Sequence, residues 1–260
     1  FVPLAIHNNK GGADKKVLQS FDEPAWNNPV VRIINADRKA LSPRIAARYT
    51  ALDLVKGMQT ALQTAGKAIP EYLNLLAHHL DGQKIKTEQA TFGMYCFWSG
   101  ESKLGNIDGV LSSTPGFMSG SEVVQVEYNP EILSYDQLAQ MAAKQGCSDR
   151  IFVHSPAQKA IAEKQFDAHK IKALSDFRAD REPQYYLSKS LYRYLPLLPI
   201  QASRINARIA QRAEVGSLLS PSQQVFIRHI QQHPNEDWKV AYHSDYFAAN
   251  WERLQDDIQQ

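Results

Sequence analysis

The feature that most constrains the fold is a regular alternation of strand and helix patterns between residues 90 and 170. Apolar runs predict four strands, at residues 90–98, 110–113, 122–128 and 151–154. Helix-start signals separate them: Ser99 precedes the first helix, Ser134 with Gln137 forms a capping-box pattern, and Ser155-Pro156 opens a third helix. Strands and helices that alternate in this way predict an α/β (α+β) domain.

The segment before this region has a weaker pattern. A strand is predicted at residues 30–35, directly after Asn28-Pro29, and helices are predicted at residues 50–66 and 71–80. Residues 20–66 resemble the second half of a thioredoxin-like domain, although the chain contains no Cys-x-x-Cys motif. This resemblance implies a degenerate scaffold and not a working reductant.

The segment after residue 178 is predicted to be a helical extension that packs on the core. Ile205 and Ile209 lie four residues apart in one predicted helix, and Ser220 opens another with Gln223 at the capping-box position. The last stretch, 237–260, is rich in aromatic residues. The pattern therefore divides the chain into three domains, at residues 1–82, 88–178 and 179–260.

Composition excludes several classes of protein. A net charge of +2, spread along the 260 residues, lacks the clustered basic surface of a nucleic-acid-binding protein. No apolar run approaches the length that spans a bilayer, so we expect no membrane insertion. The chain starts at Phe1 and not at Met, which favours an exported, periplasmic protein over a cytoplasmic one.

The two cysteines, Cys96 and Cys147, are too few for a disulfide scaffold or a zinc–thiolate site. They are either two unrelated thiols or one redox pair. Cys96 lies at the end of a predicted strand, just before a predicted helix start. The amide groups and dipole of a helix N-terminus favour the thiolate, the form that attacks electrophilic sulfur.

A longer series of residues around Cys96 identifies a family. Residues 90–98, Ala-Thr-Phe-Gly-Met-Tyr-Cys-Phe-Trp, resemble the signature of the A-type peptide methionine sulfoxide reductases, which has a Gly-Cys-Phe-Trp-Gly core. Glu101 matches a glutamate shortly after that core. Further matches follow in the family's order at residues 109–113, 116–117, 122–130 and 132–138. The resemblance covers about 50 positions strongly and implies the ferredoxin-type α/β roll of that family, without a cofactor.

The resemblance also implies a mechanism. Cys96 would attack the sulfoxide sulfur, giving methionine and a sulfenic acid. Phe97 and Trp98 would enclose the S-methyl group, and Glu122 would donate a proton or hydrogen bond to the sulfoxide oxygen. Because Glu122 shares its strand face with Val124 and other apolar residues, we expect it to point to the apolar side. The partners implied are a methionine sulfoxide peptide or small sulfoxide and a thioredoxin-like reductant.

The sequence departs from the family pattern at several positions that surround this site. Tyr95 and Ser99 replace the glycines that flank the core, and Phe117 replaces a turn tyrosine. Only five residues separate Gly116 from Glu122, where the family has a long loop with a substrate-binding tyrosine. The later Gly-Thr-Gln-Tyr-Arg-Ser stretch is reduced to residues 146–150. We expect Tyr95 and Phe117 to line the altered pocket.

Cys147 lies in the shortened stretch, after a predicted helix end. It is either a resolving thiol that attacks the sulfenic acid on Cys96 or a buried structural cysteine. The tyrosine-rich segment that begins at Tyr185-Tyr186 either packs on the core or fills the pocket that the missing loop leaves open.

The sequence leaves three alternatives open for the function. The chain could reduce methionine sulfoxide, act on another sulfoxide, sulfenic acid or disulfide, or serve as a non-catalytic methionine- or sulfoxide-binding or sensing module. No metal site is expected: His229 and His233 have ligand spacing, but Pro234 places them at a helix end.

Overall fold

The computed structural model describes residues 1–7, 10–24, 26, 29–47 and 50–242. The chain forms two compact units, Phe1–Ile69 and Pro70–Gln260. The three-domain division made from the sequence stays a prediction. None of the helices in the described ranges is long and apolar enough to cross a bilayer.

The first unit contains two helices, α1 (Ala13–Ser20) and α2 (Ala51–Thr64). The Thr50 hydroxyl caps α2 by accepting a hydrogen bond from the Asp53 amide, and Gly66 takes a positive φ of 66° after the helix end. The predicted strand 30–35 is wrong. Val31 and Ile34 form only isolated bridges, to Ile45 and Ala40, since the segment that returns beside them contains Pro43, which has no amide to donate to a ladder.

The thioredoxin-like resemblance of residues 20–66 stays a prediction, and Asn28 lies outside the described residues.

The second unit is built on a six-stranded sheet in the order β5-β4-β1-β3-β2-β6. Its strands are β1 (Glu88–Gly93), β2 (Val110–Met118), β3 (Ser121–Tyr128), β4 (Arg150–Val153), β5 (Ile171–Ala173) and β6 (Phe177–Ala179). All neighbours are antiparallel except β4 and β5. This mixed sheet with its helices confirms the predicted α/β (α+β) fold.

Seven α-helices of the second unit lie in the described residues. They are α3 (Glu71–Gly82), α4 (Phe97–Leu104), α5 (Tyr135–Lys144), α6 (Pro156–Gln165), α7 (Tyr185–Ser188), α8 (Pro199–Ala210) and α9 (Pro221–Gln232). Three short 3₁₀ turns lie at Ala168–Lys170, Leu191–Tyr194 and Gly216–Leu218. Ser134, Ser155 and Ser220 cap α5, α6 and α9 with their hydroxyls as predicted. The aromatic stretch beyond Tyr242 lies outside the described residues.

The two larger apolar clusters among the described residues fix the helices of this unit, while a small third one lies around Phe152. The first lies between the sheet and α4 and α5, and its fully buried members include Phe92, Val126 and Leu138. The second joins α8 and α9 and includes Ile205 and Phe226. Since burial of one such side chain contributes about 1.5–3 kcal/mol, each cluster is sufficient to fix its helices in place.

The structure corrects the boundaries around the cysteine motif. The predicted strand 90–98 ends at Gly93, and the predicted helix 99–108 is instead Phe97–Leu104. Cys96, and not Ser99, occupies the N-cap position. The apolar run continues from the strand into the helix without a polar break, which is why the sequence pattern places the boundary too late.

Candidate functional site

Cys96 lies at the N-terminus of α4. Its backbone is extended, with φ −129° and ψ 106°, while its carbonyl accepts the first helical hydrogen bond from the Gly100 amide at 3.0 Å. The thiol is free and half-buried. Cys96 therefore begins the first turn of α4, and its side chain makes no capping hydrogen bond to that turn.

Glu122 reaches the same helix end from the sheet. Its carboxylate Oε2 accepts a hydrogen bond from the Phe97 amide at 2.9 Å, and its carbonyl accepts one from the Met94 amide at 3.2 Å. The two amides that Glu122 binds belong to Met94 and Phe97, which lie before and after Cys96 in the chain. Val124 is fully buried on the same strand, whereas Glu122 at the strand end is half-buried, so its carboxylate remains open to solvent.

Aromatic rings form one wall of the site. The Phe97 ring lies 5.4 Å from Trp98 and 5.2 Å from Phe117, centroid to centroid. Phe117 lies opposite Glu122 in the β2–β3 register. The structure thus brings these predicted residues together, but it leaves Tyr95 apart from them, with 94% of its surface exposed.

A two-residue turn replaces the long loop of the family pattern. Ser119 and Gly120 connect β2 to β3, both with positive φ, 49° and 72°. This conformation suits the twist of a tight hairpin and is readily adopted by glycine. The turn brings Phe117 and Glu122 into register and contains no tyrosine.

The segment around β6 supplies contacts that the sequence analysis missed. The Trp98 indole N–H donates to Asp180 Oδ2 at 3.0 Å, and the Trp98 ring stacks on Tyr185 with centroids 4.2 Å apart. Tyr185 in turn meets Tyr186 edge to face at 5.5 Å. The tyrosine-rich segment therefore extends the aromatic wall, one of the two alternatives weighed from its composition.

Glu101 anchors this segment from inside α4. The carboxylate is fully buried and accepts hydrogen bonds from the Gln184 amide at 2.9 Å and the Asn206 side chain at 3.4 Å. Asn206 also accepts bonds from the amides of Tyr186 and Leu187. Burial raises the pKa of Glu101 to about 8, against the opposing effect of its donors.

The sequence pattern identifies Glu101 only as the match to a family glutamate, in the first turn of the predicted helix. No sequence pattern near Glu101 indicates that it is buried, because its partners Gln184 and Asn206 lie 83 and 105 residues later in the chain. Gln184 has a positive φ of 55°, which aims the start of α7 at the carboxylate.

Cys147 follows the α5 end and is 1% exposed. Its amide donates to the Ala142 carbonyl at 2.8 Å, and burial raises the pKa of its thiol. Two residues later, the Asp149 amide donates to the Gly93 carbonyl at 2.9 Å, so the stretch that carries Cys147 runs beside the end of β1. Cys147 belongs to the same apolar cluster as Phe97.

Several known proteins similar to this chain are peptide methionine sulfoxide reductases. No protein-family model matches the chain. A peptide methionine sulfoxide reductase MsrA from Methanococcus maripaludis strain C6 is 36% identical over 113 residues, which cover 31% of this chain and 72% of the relative. The protein of the same name from strain C7 is 30% identical over 148 residues, 40% of this chain and 94% of the relative. A mitochondrial peptide methionine sulfoxide reductase from Bos taurus is 28% identical over 149 residues, 48% and 55% of the two chains.

The similarity to these relatives agrees with the ordered motif around Cys96 and with the mixed sheet that presents it. The chain belongs to the MsrA family of peptide methionine sulfoxide reductases.

Proposed function

We propose that this protein reduces methionine sulfoxide to methionine, with Cys96 as the nucleophile and Glu122 as the acid. One observation carries the proposal: the Glu122 carboxylate binds the Phe97 amide at 2.9 Å, directly after Cys96. Thiol and carboxyl therefore share one helix N-terminus, within reach of one small substrate group.

The reaction transfers one oxygen atom. The Cys96 thiolate attacks the sulfoxide sulfur while Glu122 protonates the oxygen, on which negative charge grows. The S–O bond breaks as the oxygen passes to Cys96, leaving methionine and a sulfenic acid. The thiol is oxidised by two electrons and the sulfoxide is reduced by two.

Three aromatic rings support recognition of the methyl group. Phe97, Trp98 and Phe117 form a contiguous apolar wall beside the thiol. Polarizable sulfur and its methyl group pack well on aromatic rings, with a gain of about 0.3–1.5 kcal/mol for a single contact. Tyr95, which is exposed and apart from this wall, would contact the polypeptide that carries the oxidised side chain.

Regeneration needs a second thiol, and Cys147 is the one in this chain. Its thiol would attack the Cys96 sulfenic acid, release water and form a disulfide that a thioredoxin-like dithiol then reduces. Support comes from the Asp149–Gly93 hydrogen bond, which holds the two cysteine-bearing stretches side by side. Because burial raises the pKa of Cys147, less of its thiol is in the thiolate form that attacks the sulfenic acid.

A single-turnover assay tests the proposal. Reduced protein is mixed with a methionine sulfoxide peptide, and methionine and free thiols are counted by mass spectrometry. We expect one methionine per chain with both thiols lost in the native protein. Cys147→Ser should still form one methionine, with Cys96 oxidised to the sulfenic acid, and Cys96→Ser should form none.

A different target is favoured by one feature, the two-residue turn at Ser119-Gly120, which replaces the long β2–β3 loop of the family pattern. A site without that loop suits a small sulfoxide or a disulfide as well as a peptide. Dimethyl sulfoxide and a mixed disulfide therefore belong in the same assay. If these compounds are turned over and the peptide yields no methionine, the substrate is a small sulfoxide or a disulfide and not the peptide. Methionine sulfoxide binding without turnover by the native protein would indicate a sensing module.

A further inference from the structure

A second group of side chains with chemical potential lies at the end of α9. The ring nitrogens of His229 and His233 and a carboxylate oxygen of Glu236 all lie within 4.8 Å of one another. None of these three residues takes part in the proposed reduction. Two imidazoles and one carboxylate are a ligand set typical of Zn²⁺.

The helix end arranges the two histidines on one face. His229 and His233 are four residues apart, and their ring centroids are separated by 4.2 Å. The helix ends at Gln232, but His233 at the C-cap still donates its amide to the His229 carbonyl at 3.0 Å. The pair thus lies at a helix end, as the sequence predicts, and this position still keeps the two rings side by side.

Backbone hydrogen bonds bring the third side chain back to the pair. The Glu236 amide donates to the His233 carbonyl at 3.3 Å, and the Trp238 indole N–H donates to the same carbonyl at 2.9 Å. The Trp238 ring meets the edge of His229 at 5.6 Å. This turn covers one side of His229 with an apolar ring, while His233 and Glu236 are exposed to solvent.

The hydrogen bond of His233 fixes which of its nitrogens is available. Its Nδ1 lies 3.0 Å from the His229 carbonyl, which can only accept, so Nδ1 carries the proton. The lone pair is therefore on Nε2, which is free to bind a metal. Histidine ligands in proteins are usually oriented by such a bond from the other ring nitrogen to a carbonyl.

Charge at this end of α9 also favours a cation. The last carbonyls of a helix carry partial negative charge, and Glu236 adds a full one. Donor atoms of a tetrahedral zinc ion lie roughly 3.4 Å apart, given metal–ligand distances of about 2.0–2.2 Å. Small rotations of the exposed His233 and Glu236 side chains close the difference from the observed spacing.

We propose that His229, His233 and Glu236 bind one Zn²⁺ ion, with water as the fourth ligand. The ion would clamp the α9 end to the segment that follows it. That segment continues to Tyr242, whose hydroxyl donates to the Pro183 carbonyl at 3.1 Å, directly before Gln184. A zinc ion at this position therefore stabilises the chain that supports the aromatic wall.

Zinc binding to metal-free protein tests the proposal, by competition with a chromophoric zinc indicator. Blocking both thiols first with iodoacetamide prevents them from binding the ion. We expect one Zn²⁺ per chain, and a dissociation constant at least about tenfold higher in His229→Gln, His233→Ala and Glu236→Gln. His169→Ala and Asp237→Asn are matched controls on exposed residues outside the ligand set, and both should bind like the native protein.

A second readout identifies the ligands. Co²⁺ should give visible bands typical of nitrogen and oxygen ligands without a thiolate charge-transfer band, also in protein with free thiols. Zn²⁺ should raise the unfolding midpoint of the native protein but not that of His233→Ala. The proposal is overturned if the thiol-blocked protein binds no zinc, or if the controls weaken binding as much as the ligand variants.

Discussion

Glu122 contacts the N-terminus of α4 from the sheet, whereas Glu101 extends from α4 itself toward α7 and α8, and the two show how position decides what a carboxyl group can do. Glu122, on the sheet side, is half-buried, and among the described residues its side chain accepts a single hydrogen bond, from the Phe97 amide. Glu101, on the side of the helical extension, is fully buried, and both of its oxygens accept bonds. Glu122 therefore has a carboxyl oxygen that can bind a substrate, whereas both carboxyl oxygens of Glu101 are hydrogen-bonded within the protein.

The two sides also differ in how they are assembled. The sheet side is a hairpin closed by two residues, so Phe117 and Glu122 are neighbours in sequence as well as in space. The extension side depends on Gln184 and Asn206, which are distant in sequence. We therefore expect substitutions on the sheet side to affect chemistry and those on the other side to affect stability first.

The largest effect is expected for Glu122→Gln. Loss of the acid should lower the single-turnover rate about 10²- to 10⁴-fold, with the free energy of unfolding changed by less than about 1 kcal/mol. Rapid-quench measurement of methionine formation gives the rate. Glu127→Gln, on the same strand, is the matched control and should keep the native rate. Equal losses in both variants would remove the special role of Glu122.

Glu101→Ala should act on stability. It leaves the Gln184 amide and the Asn206 side chain buried without an acceptor, at a cost of about 2–4 kcal/mol in the free energy of unfolding. Urea denaturation measures this, and Glu101→Gln should recover part of it by keeping one acceptor. A fully stable but inactive Glu101→Ala protein would place Glu101 in the chemistry and break the comparison.

The pH dependence of stability should separate the two carboxyls further. Burial raises the pKa of Glu101 from 4.5 to about 8, so between these values the folded state holds a proton that the unfolded state has released. The free energy of unfolding should therefore fall as the pH rises through this window, by up to roughly 1 kcal/mol per pH unit. Stability at low pH is retained until the pH exceeds the pKa of the unfolded state.

Urea midpoints at several pH values, compared with Glu101→Gln, measure this contribution. The variant lacks the titrating group, so its stability should fall less steeply between pH 5 and 8. Parallel curves for the two proteins would show that the Glu101 proton is not linked to folding.

The smallest effect is expected at the aromatic wall. Tyr185→Ala removes the ring stacked on Trp98, a contact worth about 0.5–1.5 kcal/mol, so KM should rise roughly two- to tenfold with little change in kcat. Tyr185→Phe keeps the ring and should behave like the native protein. Steady-state kinetics with a thioredoxin-like reductant distinguish the two. An unchanged KM in Tyr185→Ala would restrict Tyr185 to packing.

The elements that sequence patterns predict well here are those with local causes. Ser134, Ser155 and Ser220 carry their cap signal in the next few residues, and all three cap their helices. The position of Glu122 on its strand follows equally from the neighbouring alternation. The start of α4 was placed too late because Cys96 is not a usual capping residue and its neighbours are apolar.

What local patterns could not supply are the contacts made by distant segments. Asp180 is a polar residue with no distinguishing sequence neighbours, and nothing near it indicates a bond to the Trp98 indole 82 residues away. The burial of Glu101 has the same cause. The part of the candidate site around Cys96 could thus be predicted from motifs. The part that the extension supplies depends on contacts between residues far apart in sequence, which no local pattern indicates.

The long reach of Glu101 has a consequence for how the protein is made. A ribosome adding about 5–20 residues per second needs on the order of 5–20 s to pass from Glu101 to Asn206. During that time the segment that carries Cys96 and Glu101 has left the ribosome, but the residues that donate hydrogen bonds to Glu101 in the folded protein have not all been made. Native packing of the nascent thiol therefore waits for the C-terminal helices, and a chaperone that shields this stretch during synthesis would protect it from premature oxidation.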